Sequence, residues 1–301
     1  QCSSILLHLF GIFFPFWLQN FTESNPMTRT IIMSFQSVLP GITEWVGFDN
    51  YTKLLGDKVF FKAVMNSMKY MILTLILLIP IPMLLATVLN SKFAKGREFF
   101  KSALYLPALT SVVVAGTIFR LAFSELDGAV MNSIIGFFGM EPIKWLKSAG
   151  TGFFALLLLA CWRWTGVNML YFLSGLKNIP DELYESADID GANAIQKFIY
   201  ITIPQLKPTI VYVLTISIYA GLAMFTESYM IWGGNASPKN IGLTIVGYLY
   251  RQGIEKNAMG YASAVGIVLF IIAMTINMIQ LKINGTFSKE EYAFPVNVVV
   301  P

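Results

Sequence analysis

Charge, histidine and cysteine are scarce in this sequence. Asp, Glu, Lys and Arg make up 13% of its 301 residues, against ~25% in an ordinary soluble chain. The formal charge of +4 is spread thinly, without the basic stripe that nucleic-acid binding requires, so no nucleic-acid partner is expected. A single histidine, His8, leaves little room for histidine-based zinc or triad chemistry. The two cysteines are Cys2 and Cys161, the latter inside an apolar run where it reads as a small buried hydrophobe. Neither points to a disulfide, a metal site or a redox motif. The composition also excludes intrinsic disorder and a disulfide scaffold.

What the sequence has in abundance is apolar length. Hydrophobic residues reach 55% and the mean hydropathy is +0.63. Residues 70–91, 102–119, 208–226 and 257–281 contain no Asp, Glu, Lys or Arg, and about 20 apolar residues suffice to cross a hydrocarbon core. These runs are continuous rather than alternating, which favours helices over barrel strands. The expected class is therefore all-α, a polytopic membrane protein of about six transmembrane helices. Five spans are expected near 64–89, 102–123, 151–175, 208–232 and 259–283. The N-terminal region 1–42 is expected to hold an irregular first span. Its apolar stretch 5–18 is short, and a single helix through 5–36 would place Glu23 and Arg29 in lipid at ~2.5–3.5 kcal/mol each. A cleaved signal peptide is the rival, but neither a basic flank nor a small-residue cleavage site surrounds the stretch.

Cytoplasmic loops collect Lys and Arg. Lys92, Lys95, Arg97 and Lys101 form the densest cluster, so that loop is expected inside. Alternation then places residues 43–63, an outer loop, together with 124–150 and 233–258 on the outside. The transmembrane core runs over 64–283, with 177–207 and the C-terminal tail 284–301 inside.

The segment 177–207 is patterned like structure rather than like a connection. Pro180 followed by Asp181, Glu182 and Glu185 reads as a helix start, because proline fits the first turn and carboxylates favour the positive end of the helix dipole. Leu183, Ala187 and Ile189 can form an apolar side, Gly191 permits a sharp bend, and a second helix carries Ile195, Phe198 and Ile199 until Pro204 and Pro208 end it. Residues 181–190 hold five carboxylates and no Lys or Arg. An anionic leaflet repels such a face, so a cytoplasmic protein partner is favoured over a helix pair lying on lipid.

Glu185, Ser186, Ala187, Gly191, Ile201 and Pro204 follow the spacing EAA-x3-G-x9-I-x-L-P, with Ser186 and Ile203 as substitutions of similar size. In this the chain resembles the permease subunits of binding-protein-dependent ABC importers. WVGFDNY (45–51), WRWTGVNMLYFLSGLKNIP (162–180), DELYESADIDGA (181–192) and MGYASA (259–264) are similar to the carbohydrate-type branch, related to the maltose and glycerol-3-phosphate permeases.

The resemblance implies a sugar-importer permease in a bacterial or archaeal cell membrane. Its implied partners are a second permease, two copies of a cytoplasmic ATPase, an extracytoplasmic substrate-binding protein, a carbohydrate substrate and membrane lipid. No cofactor is expected in the chain, with ATP and Mg held by the ATPase; no G-x-x-x-x-G-K-[ST] phosphate loop occurs here. The coupling residues implied are Glu182, Leu183, Glu185, Ala187, Asp190, Gly191 and Pro204. A substrate path is expected from ionisable, polar and aromatic residues in the later spans: Arg163, Trp164, Asn168, Tyr219, Thr226, Glu227 and Tyr229. Interfacial aromatics and a structural Arg163–Glu227 pair would explain several of these equally well. An ion-coupled secondary transporter is the alternative, although no internal repeat of the kind it needs is visible.

Overall fold

The computed structural model describes residues 25–91 and 94–285. The stretch 5–18, Cys2, His8, Glu23, Lys92 and the tail from residue 286 lie outside the described residues. The described chain is helical apart from one two-stranded hairpin. It begins with α1 (Pro26–Ser34), β1 (Gln36–Leu39), β2 (Ile42–Trp45) and α2 (Asp49–Gly56). The hairpin and α2 occupy what the sequence suggested were the end of the N-terminal region and a plain outer loop. Pro40 and Gly41 turn the strands, with Gly41 at φ 77°.

Among the described residues three stretches are long and apolar enough to cross a membrane: Lys58–Asn90, Ala149–Leu176 and Met259–Ile283. The first comprises α3 (Lys58–Leu78) and α4 (Pro80–Asn90). Pro82 has no N–H to offer the carbonyl four residues back. The Asn168 Nδ2 donates to that Leu78 carbonyl at 2.9 Å, so the break is satisfied from a neighbouring helix, as an apolar medium demands. The second is α8 (Ala149–Leu176), apolar all round; Leu156, Leu159, Met169, Phe172 and Leu173 are buried on it.

Two of the expected spans are not single helices. The run 102–123 is divided into α5 (Arg97–Leu109) and α6 (Val112–Ala122), bent by 94° at the break. Pro107 lies in the last turn of α5, and Ser111 at the start of α6 has extended backbone. The run 208–232 is divided into α12 (Lys207–Leu222) and α13 (Thr226–Trp232), with non-helical residues 223–225 between them. Thr226, Glu227 and Tyr229 therefore ride on a separate short helix rather than on a continuous span. The last span, α15 (Met259–Ile283), matches its expected limits.

The chain divides into two compact units. One takes the described residues up to Ile72, with Thr110–Leu159 and Gly221–Ile271; the other takes Leu73–Leu109, Ala160–Ala220 and the described residues from Ile272. All three loops assigned to the outside fall in the first unit, and both the Lys/Arg cluster and 177–207 fall in the second.

In the first unit Asn132 organises the loop after α6. Its Oδ1 accepts from Trp145 Nε1 at 2.7 Å and from the Ile143 N–H at 3.0 Å, beneath a core of Phe123, Ile135, Trp145 and Ala155. Asp57 joins the other loops of this unit. Its Oδ1 accepts from the Val59 N–H at 2.7 Å, capping α3, and its Oδ2 accepts from the Tyr248 hydroxyl at 2.5 Å. Burial, then this hydrogen bond, pushes the Tyr248 phenol up, so it stays a donor.

The hairpin is pressed against α15 at Gly260. A Cβ there would meet the Gln36 carbonyl oxygen at 1.9 Å, a distance no side chain tolerates. Gly260→Val should lower stability by ~1–3 kcal/mol through overpacking, read as a reduced thermal unfolding midpoint in nanodiscs. An unchanged midpoint would show that Gln36 and Gly260 do not touch.

Candidate functional site

The segment 177–207 folds as a bent helical hairpin. Helix α9 (Asp181–Ile189) starts after Pro180, whose φ of −61° suits a helix entry, and carries Asp181 and Glu182 in its first turn. It ends at Gly191, φ 75°. The Ala192 N–H donates to the Ala187 carbonyl at 2.9 Å and the Gly191 N–H to the Asp188 carbonyl at 3.1 Å, the paired closure of a Schellman turn. Nothing lies within 4 Å of a Cβ placed on Gly191, so the backbone conformation, and not crowding, requires glycine there.

Asn193 then opens α10 (Ala194–Lys197) with a reciprocal cap. Its side chain accepts from the Gln196 N–H at 2.9 Å, while Gln196 Oε1 accepts from the Asn193 N–H at 2.8 Å. The helix widens over Phe198–Thr202, where the Ile203 N–H reaches back five residues to the Phe198 carbonyl. Pro204 explains the widening, since it cannot donate to the Tyr200 carbonyl and its ring crowds that position. A last turn, α11 (Ile203–Gln205), precedes a 68° bend into α12.

Two contacts hold the hairpin. The Tyr184 hydroxyl and Thr202 Oγ1 lie 2.9 Å apart, joining α9 to the widened turn. Lys197 Nζ donates to Asp188 and pairs with it, closing the bend. Tyr184, Phe198, Ile201 and Ile203 pack on a core made of Met83, Leu89, Phe172, Leu176 and Leu206 with their neighbours. The root of the hairpin is thus continuous with the buried interior of its unit.

The other face of α9 is uncovered. Leu183 is 38% exposed and Ile189 87%, and no residue of α9 is buried. Of Leu183, Ala187 and Ile189, expected to form one apolar side, Ile189 points away from the chain and Leu183 is partly exposed. Tyr184 and Ala187, three apart, turn inward instead. Glu182, Glu185 and Asp190 are also exposed, so the free face mixes apolar knobs with a carboxylate rim. Tyr184, Asp188, Lys197 and Thr202 were missed in the sequence. The i, i+3 spacing of Tyr184 and Ala187 is the signal that marks the inward face.

The residues expected to line a substrate path fall in both units. Arg163, Trp164, Asn168 and Tyr219 belong to the one that carries the hairpin. Arg163 is buried with its guanidinium 5.3 Å from the Trp164 ring centroid, and Tyr219 is exposed. Asn168 is buried and commits its donor to Leu78. Thr226, Glu227 and Tyr229 belong to the other unit. There Tyr229 packs with Phe225 at 5.3 Å and with Tyr250 at 5.8 Å between centroids, forming an aromatic cluster. The hydrogen bond from Asn168 predicts that Asn168→Ala lowers stability by ~1–2 kcal/mol, because it strands a buried carbonyl. Thermal unfolding in nanodiscs measures this, and an unchanged midpoint would free Asn168 for another role.

Residues 78–284 match the family model described as "Binding-protein-dependent transport system inner membrane component". The chain is 54% identical over 265 residues to the arabinooligosaccharides transport system permease protein AraP of Bacillus subtilis (strain 168), covering 88% of this chain and 84% of that one. It is 31% identical to the lactose transport system permease protein LacF of Rhizobium radiobacter, covering 85% and 86%. Among solved structures, a bacterial alginate ABC transporter in complex with an alginate pentasaccharide-bound periplasmic protein aligns with a TM-score of 0.77 at 24% identity, over 95% of this chain and 96% of that one. That likeness establishes a shared fold.

Proposed function

Because the chain belongs to the family of binding-protein-dependent transport system inner membrane components, we propose that it forms half of a sugar pathway through the membrane and that α9 couples this pathway to a separate ATPase. Family membership leaves an ion-coupled secondary transporter without support. The observation that carries the coupling role is the division of labour on α9, with its inner face bonded and packed through Tyr184 and its outer face apolar, acidic and uncovered.

In this reading Leu183 and Ile189 insert into a groove on the ATPase, ringed by Glu182, Glu185 and Asp190. Ala187 lets α9 lie close to its own unit, Gly191 fixes the angle of the hairpin, and Pro204 sets the widened turn that receives Tyr184. ATP and Mg are bound by two ATPase copies, and a second permease supplies the other half of the path. Closure of the ATPases pulls on one such helix in each permease and rocks the spans between inward-facing and outward-facing states. An extracytoplasmic binding protein delivers the substrate.

The proposed cargo is a neutral oligosaccharide. The relatives named for arabinooligosaccharides and lactose support that class, with arabinooligosaccharides the first to test. Trp164, Tyr219 and Tyr229 offer flat aromatic faces, and Arg163, Asn168, Thr226 and Glu227 offer hydrogen-bonding groups, for a sugar passing through.

Glu185→Lys should cut uptake by about tenfold, equivalent to ~1.4 kcal/mol of lost coupling, and reduce the ATPase retained on purification, with membrane insertion unchanged. Gly191→Pro should do the same more severely, since proline cannot adopt a φ of 75°. Wild-type uptake by both variants would overturn the coupling role. The cargo is tested separately, by stimulation of ATP hydrolysis with the binding protein loaded from a panel of sugars and amino acids. Stimulation by amino acids alone would overturn the carbohydrate reading and leave the coupling role standing.

A further inference from the structure

The motif WVGFDNY contributes nothing to the coupling hairpin, yet it folds into a rigid module with a peculiar surface. Its inner side is tightly bonded. Asn50 is buried and its Nδ2 donates to the Ser34 and Gln36 carbonyls, at 2.9 Å each. The Tyr51 hydroxyl donates to Ser34 Oγ at 2.7 Å. Phe35 packs among Trp45, Phe48 and Tyr51, with centroids 5.2–6.0 Å away, and Leu54 is fully buried. The outer side is apolar all the same: Trp45, Phe48 and Leu55 are 67%, 70% and 68% exposed, and Ile42 is also exposed. Phe48 and Leu55, seven residues apart, share one face of α2, opposite Asn50 and Leu54. In water such a patch would be a liability.

We propose that this face lies in the boundary between lipid headgroups and acyl chains and anchors the start of the first described span. The occupant follows from position and chemistry. Helix α2 ends at Gly56 and the membrane-spanning α3 begins at Lys58, so one residue separates the module from a helix that enters the bilayer. Phe61 and Met65, four residues apart on α3, are exposed as well. Tryptophan and phenylalanine bordered by Lys53, Lys58 and Lys62 is the composition of a membrane–water interface. The module is an amphipathic element turned outward, with Asn50 and Tyr51 spent on internal hydrogen bonds and its exposed apolar side chains offered to lipid. Gly260, against which the hairpin rests, then ties this depth marker to α15.

The test uses the full chain, with Cys2 and Cys161 replaced by alanine, assembled with its partner subunits in nanodiscs. Trp45→Cys, Phe48→Cys and Leu55→Cys are made singly and labelled with an environment-sensitive fluorophore, and Asp127→Cys in a polar loop serves as control. Lipids bearing a doxyl group near the headgroup should quench labels at 45, 48 and 55 about twofold more than aqueous iodide does, with the reverse at 127. Iodide quenching at all three sites would overturn the proposal. Resistance to both quenchers would also overturn it, by showing protein cover, whether from the chain's own N-terminal stretch or from another subunit. Shielding that appears only when the binding protein is added would assign the face to that protein instead.

Discussion

A helix proposed to carry force between two proteins must be held by its own chain at least as firmly as by the partner that would pull it, and Tyr184 holds α9 to its unit. Its hydroxyl meets Thr202 at 2.9 Å, while its ring reaches the core built on Phe172, Leu176 and Leu206. The ring contributes apolar burial of order 1.5–3 kcal/mol, and the hydroxyl adds a partly buried hydrogen bond of order 1 kcal/mol. Without that root, α9 would be a surface helix of nine residues, below the length at which an isolated helix is stable in water. The Asp188–Lys197 pair and the Gly191 turn shape the hairpin further. As a partly exposed ion pair, Asp188–Lys197 adds a few tenths of a kcal/mol at most.

The spans obey a related constraint: in lipid, a backbone group freed by proline must find another partner. Asn168 serves the Leu78 carbonyl opposite Pro82; in the hairpin, away from the spans, the widened turn at Phe198–Thr202 absorbs the defect made by Pro204. The same economy of bonding recurs in the N-terminal half of α3. Asn66 Nδ2 donates to both the Asn240 and Leu243 carbonyls, and Ser67 Oγ accepts from the Ile245 N–H, so polar residues on α3 hold the turns before α14 (Ile245–Tyr250). Breaks in the helices are therefore built features with named repairs.

Much of this is written locally in the sequence. Charge-free runs of the right length announce α15 and the passage from α3 into α4, and the apolar run interrupted by Arg163 announces α8. Pro180, the acidic first turn, Gly191 and Pro204 announce the coupling hairpin within a residue or two of its limits. What escaped depends on distant partners. Nothing local to residues 102–123 shows a break at 110–111, since Pro107 alone would permit a kinked continuous span. The hairpin 36–45 relies on Gln36 lying against Gly260, more than 200 residues away. Tyr184 and Thr202, 18 residues apart, meet only because the chain bends between them.

The central claim is that 181–205 moves as one stiff body when the ATPases close. Spin labels at Ser186 and Ile199, with the distance distribution recorded by pulsed electron–electron resonance in the assembled transporter, test it most directly. A single narrow distribution, unchanged between the nucleotide-free and ATP-bound states, is the predicted result. A distribution that broadens or shifts on ATP binding would show that the hairpin bends under load, and would contradict the account.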